Sequence, residues 1–162
     1  MPTTGAPGNI WYPDATSPVA PLENLFLQQA TSVNDALSAL TSGSAWTGYT
    51  PALTNMTVGN GTLVAKHRKN GASRDLVFQL TLGSTSTIGS APGFSPPTAI
   101  PYDTSYGARF LNSGAAFVQG GAWVRTAIVY PLTSGGTQIT ATTPFTWGAG
   151  DQILMAFTYP ED

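Results

Sequence analysis

Thr62 to Leu82 reads TLVAKHRKNGASRDLVFQLTL, and its periodicity decides the fold class. Leu63, Ala65 and His67 alternate with Val64, Lys66 and Arg68; after Asn70-Gly71, residues Leu76, Phe78, Leu80 and Leu82 alternate with Val77, Gln79 and Thr81. A period of two puts successive side chains on opposite faces of a strand, so the stretch predicts a β-hairpin with one apolar face. The connection from Asn70 to Ser73 reads as longer than two residues, which leaves the turn type open. Lys66, His67, Arg68 and Lys69 lie just before that turn and read as decoration of the hairpin rather than as a grip on phosphate.

Downstream, Gly83 to Pro97 is rich in Gly, Ser and Pro and predicts a long connection. Short strands are predicted at Thr98 to Pro101, Ala108 to Leu111, Ala115 to Gln119, and Ala122 to Tyr130 across Gly120-Gly121. Two more follow, at Gln138 to Thr142 and at Gln152 to Tyr159 beyond the Gly148 to Asp151 turn. The last is apolar on both faces and belongs in the centre of a sheet or at a subunit contact. About seven to nine short strands separated by turn signals predict a mainly β fold, an antiparallel β-sandwich of jelly-roll type. Trp46, Phe78, Phe145 and Trp147 are expected in its core.

Upstream, Val58-Gly59-Asn60-Gly61 reads as a tight connection. Asn55-Met56-Thr57 and Asn60-Gly61-Thr62 match the glycosylation sequon but read as turn chemistry, because no export signal accompanies them. Pro21 to Leu40 changes period: Phe26, Ala30, Val33, Leu37 and Leu40 fall at steps of four and three residues, a narrow apolar stripe on an α-helix. Such a seam associates with other helices or packs on the chain's own sheet. Residues 1 to 20 hold many breakers and predict an extended arm, with Ile10, Trp11, Tyr12 and Pro13 as the cluster that docks on a partner. The expected organisation is therefore an arm (1–20), a helix (21–43) and a β domain (44–162).

Charged residues make up only 9% of the 162, so the predicted surface is neutral and polar, suited to packing within an assembly. A net charge of -2 gives no footprint for nucleic acid, the absence of cysteine removes thiolate chemistry, and no stretch is long and apolar enough for membrane insertion. The chain reads as soluble after synthesis in a cytoplasm.

No nucleophile elbow, phosphate loop, zinc motif or calcium loop is present, and the one histidine, His67, sits among cations that disfavour its charged form. The reading is a non-enzyme without cofactor or metal; a glycosidase-like pair from Asp75, Asp103 or Asp151 is defined only by distance in the folded chain. A binding role falls instead to aromatics in turn-rich stretches, since sugar rings stack on aromatic faces. Tyr102, Asp103, Tyr106, Arg109 and Trp123 are the candidate glycan-binding residues, with core packing as the competing role for the aromatics.

Four short motifs, Gly48 to Pro51, Gly59 to Thr62, Pro144 to Trp147 and Gly150-Asp151, resemble the C-terminal domain of small minor tail proteins and tail fibres of bacteriophages infecting actinobacteria. Tyr12-Pro13 and the run from Ala30 to Leu37 look like the virion-attachment part of such proteins. The resemblance implies a homotrimeric β knob on a short helical stalk, with Phe26, Ala30, Val33, Leu37 and Leu40 in the stalk seam. It also implies that the arm holds the protein to other virion proteins. The leading expectation is a short trimeric tail fibre, located in the virion and made in the host cytoplasm, whose knob contacts host cell-wall glycan. The alternative is a capsid decoration protein or head fibre anchored to the shell by the arm.

Overall fold

The computed structural model describes residues 22–42, 45–113, 117–125 and 127–161. The chain divides into two compact units, Met1–Ala45 and Trp46–Asp162. The expected arm, with Ile10, Trp11, Tyr12 and Pro13, lies outside the described residues.

The first unit contributes α1, Leu22–Ser42, which begins directly after Pro21, where a proline disfavours backward extension. Its 21 residues span about 31 Å. Thr31 and Ser32 donate their hydroxyls to the carbonyls of Leu27 and Gln28, so their polar groups are satisfied along the helix. Phe26, Val33 and Leu37 are 66%, 53% and 58% exposed, and Ala30 is exposed too; the side chain of Leu40 lies outside the described residues.

The second unit is mainly β. Its strands are β1 (Thr47–Gly48), β2 (Leu53–Thr57), β3 (Thr62–Asn70), β4 (Ser73–Thr81), β5 (Thr87–Phe94), β6 (Thr104–Leu111), β7 (Phe117–Arg125), β8 (Ile128–Thr133) and β9 (Gln152–Pro160). All join one antiparallel sheet in the order β1-β3-β4-β9-β6-β7-β8-β5-β2. The β3–β4 hairpin has the expected apolar face, with Ala65, Leu76, Phe78 and Leu80 buried. Its register runs to Asn70↔Ser73, which corrects the loop to two residues, Gly71 and Ala72. Gly71 alone takes a left-handed φ of 62°, the first-position demand of a II′-type hairpin. β9 lies centrally between β4 and β6, burying Ile153, Met155, Phe157 and Tyr159.

Phe78 on β4 and Phe94 on β5 stack with ring centroids 3.9 Å apart and planes 10° apart, although several strands separate them in the sheet order. That contact requires the sheet to curl over itself, so the two-layer packing comes from one continuous sheet rather than from two separate ones. The chain crosses between layers at two adjacent corners, Val58 to Gly61 and Gly83 to Ser86, and Asn60 ties them together. Its amide donates to Ser84 Oγ at 3.0 Å, and its Oδ1 accepts from Thr85 N at 2.9 Å. Ser86 Oγ donates to the Val58 carbonyl, and Gly83 N donates to Ser86 Oγ at 2.8 Å. A Cβ at Gly61 would run into the Thr81 carbonyl, and one at Gly83 into Asn60, which explains the glycines in this stretch.

Several elements differ from the expected ones. The supposed long connection Gly83 to Pro97 contains β5, disguised by small residues: Gly93 lies where a Cβ would press on Ile128 and Tyr130. Thr98 to Pro101 is not a strand, although Ile100 is buried; β6 begins at Thr104 instead. β7 passes straight through Gly120-Gly121, because the Phe110 ring and the Leu132 carbonyl occupy the space of a Gly120 side chain. The reversal falls after Arg125, whose carbonyl accepts from Ala127 N at 2.7 Å. Ala115 and Ala116, the first two residues of the predicted Ala115 to Gln119 strand, lie outside the described residues; its remainder opens β7. Gln138 to Thr142 makes only isolated bridges, Leu132↔Gln138 and Thr140↔Thr143, around buried Ile139. Trp46 is 44% exposed rather than in the core, whereas Phe78 is fully buried and Phe145 and Trp147 pack against the core.

The C-terminal end of β9 is held by a charged clasp. Glu161 accepts from Arg74 Nε and from Thr98 Oγ1 (3.1 Å), and Lys69 Nζ lies 3.9 Å away. Arg74 also donates to His67 Nδ1, which fixes the neutral ring as the Nε2–H tautomer. The bond from Arg74 holds the Glu161 carboxyl below its usual value; bonds from Thr158 and Arg68 do the same for Asp75. Burial, then the Arg74 cation, pushes the His67 pKa down. Each group binds protons more weakly folded than unfolded, so its stabilisation is present above the unfolded pKa and lost as pH falls through the folded one. Urea midpoints should therefore drop from about pH 6.5 downward for His67 and more steeply below about pH 4.5 for the carboxylates. Glu161→Gln should flatten the acid limb; an unchanged slope would show that the clasp contributes nothing to acid lability.

Candidate functional site

The strand register assigns each residue of the β unit to the core or to the outer face of the sheet. Buried Ala65, Phe78, Met155, Ala108, Ala122 and Val129 define the inner side, so their strand neighbours Lys66, Val77, Ala156, Arg109, Trp123 and Tyr130 lie on the outer side. Two polar and aromatic rows cross that outer face. One runs Arg68–Asp75–Thr158 over β3, β4 and β9; the other runs Ser105–Trp123–Tyr130 over β6, β7 and β8. Next to the second row, Gly107 pairs with Gly121, which leaves open space beside the rings.

The first row is fixed by side-chain bonds. Arg68 Nε donates to Asp75 Oδ2 at 2.7 Å, Thr158 Oγ1 donates to Asp75 Oδ1 at 2.6 Å, and the Arg68 guanidinium lies 4.9 Å from the centre of the Trp46 ring. In the second, Trp123 and Tyr130 lean together with centroids 6.3 Å apart, and Arg125 stands 5.4 Å from the Trp123 ring centre. Fixed aromatic faces beside guanidinium groups and hydroxyls suit a polar ligand with flat apolar patches, the chemistry of a sugar chain.

The five glycan candidates do not form one patch. Tyr102 is 55% exposed and Asp103 is exposed, both in the loop before β6. Tyr106 faces inward and stacks on Phe157 at 4.3 Å and 12°, and burial raises its phenol pKa, so packing accounts for it. Arg109 and Trp123 share the outer face, Arg109 opposite Gln119 and Trp123 opposite Ser105. Trp46, Tyr130, Arg125 and Lys66 complete that face; reading Gly120-Gly121 as a break and Ala122 to Tyr130 as one strand hid the β7–β8 reversal after Arg125, which sets Tyr130 opposite Trp123.

Other sites offer less chemistry. A shallow groove of about 460 Å³ follows the β2–β5 edge, lined by Asn55, Met56, Thr57, Thr87, Ile88, Gly89 and Ser90. It contains neither charge nor an aromatic ring, and the Asn55 amide is occupied by the Ser90 carbonyl at 2.9 Å. Asp75 and Asp151 lie near opposite ends of β9, about 23 Å apart along the strand and too far for a glycosidase pair. Among the described residues, no group of three or more His, Cys, Asp or Glu side chains is placed to hold a metal ion. Comparison with family models, with curated proteins and with solved structures finds no match to this chain.

Proposed function

We propose that the protein is a structural protein of a bacteriophage particle, a short trimeric tail fibre that presents its β unit to glycan on the host surface. One observation carries this reading: α1 leaves Phe26 and Val33 more than half exposed, while the β unit has its own complete core. A 21-residue helix with an exposed apolar stripe is marginal alone and is stabilised by association with other copies. The resemblance to phage tail proteins supports the setting, and the outer aromatic face supplies a surface for adhesion.

Light scattering on the purified protein tests the assembly; a trimer mass is expected, and a single-chain mass at micromolar concentration would overturn it. A seam this short leaves most of the interface to the β unit. The pair Val33→Asp and Leu37→Asp should thus reduce helical circular dichroism while the trimer mass persists. Complete dissociation would move the interface to the helix.

A further inference from the structure

The outer face of the sheet is cationic although the chain as a whole has a net charge of -2. It carries Lys66, Arg68, Arg109 and Arg125, against one carboxylate among the outward-facing strand positions, Asp75, which Arg68 already binds. Lys69 and Arg74 are committed elsewhere, to Glu161. Among the described residues, Lys66, Arg109 and Arg125 are exposed and make no ion pair.

Their spacing says what kind of anion fits. Arg109 sits three strands from Lys66 and two residues along, about 16 Å away by strand spacing and rise; Arg125 lies one strand from Arg109 and six residues along, about 20 Å away. No small anion bridges such gaps. A polymer with negative groups at intervals does, and its rings can lie beside Trp123 and Tyr130 between the charges.

We propose that this face binds an extended acidic polysaccharide, with the polymer's anionic groups meeting Lys66, Arg109 and Arg125. The inference rests on the adhesion reading and names the ligand class. Neutral glycan would leave the three cations without partners, whereas an acidic chain matches them in sign and spacing.

The test uses the full chain on immobilised polygalacturonate, with neutral dextran and amylose, single-stranded DNA and intact bacterial cells in parallel. Polygalacturonate retention that weakens as salt rises from about 50 to 500 mM is expected, because exposed charge pairs are screened over that range. The exposed triple variant Lys66→Ala, Arg109→Ala, Arg125→Ala should lose at least tenfold in affinity with an unchanged thermal midpoint. Equal retention on dextran or amylose, or cell binding that survives both high salt and the triple variant, would overturn the acidic ligand and leave adhesion standing. DNA bound as tightly as polygalacturonate would overturn the glycan assignment. A folded protein that binds neither cells nor any chain would overturn both readings.

Discussion

Asp151→Ala should lose about 3 kcal/mol of stability, because it removes the buried carboxylate that two backbone donors bind through part-buried, charge-assisted hydrogen bonds. Asp151 is 3% exposed, and its carboxylate accepts from Ser113 N at 2.7 Å and Gly148 N at 2.6 Å. Its main chain extends the tie, since Leu82 N donates to the Asp151 carbonyl at 2.9 Å, and the neighbouring Gly150 N donates to the Leu82 carbonyl at 2.8 Å. One residue thereby joins the loop after β6, the turn before β9 and the end of β4. Asp151→Asn keeps one acceptor oxygen but turns an amide donor toward a backbone donor, so it should recover only part of the loss. Urea unfolding followed by tryptophan fluorescence measures both; an Asp151→Ala protein within about 0.5 kcal/mol of the parent would remove the carboxylate from this role.

Phe78→Ala should cost about 4 kcal/mol, the range for emptying a closed aromatic site. Both rings of the Phe78–Phe94 stack are fully buried, so relaxation into the space is restricted. The pair also joins β4 to β5, two strands that share no hydrogen-bond ladder, so the double variant with Phe94→Ala should fall short of the sum of the singles by about 1 kcal/mol or more. Strict additivity would mean that the layers are held by other contacts. Phe78→Leu, which keeps most of the volume, should lose far less than Phe78→Ala.

The elements legible in the sequence were those whose pattern is local. The β3–β4 hairpin announces itself by alternation, α1 by its steps of four and three, and β9 by an apolar run long enough to demand a central place. β5 and the continuity of β7 were not legible, because their glycines answer to distant atoms. Gly93 yields to Ile128 and Tyr130, and Gly120 yields to Phe110 and Leu132. Nothing beside those glycines in sequence distinguishes close packing from a turn. The outer face was legible only as single residues for the same reason: Trp123 and Arg109 can be named from the chain, but the register that adds Lys66, Arg125 and Tyr130 is a property of the assembled sheet.

The corner built on Asn60 bears on how the protein can be made. Both Asn-X-Thr sequons are exposed yet use their side-chain nitrogen in a hydrogen bond, Asn55 Nδ2 to the Ser90 carbonyl and Asn60 Nδ2 to Ser84 Oγ. A eukaryotic secretory pathway attaches its glycan to that same nitrogen while the chain is still unfolded. Sugar added at Asn60 would replace one of the two Nδ2 hydrogens at the junction of Val58 to Gly61 with Gly83 to Ser86 and set a bulky group beside it. Such a chain would form the corner with that hydrogen bond weakened and a bulky group beside it, so passage through a glycosylating secretory pathway is expected to lower the stability of the fold, whereas synthesis in a bacterial cytosol leaves the corner unmodified.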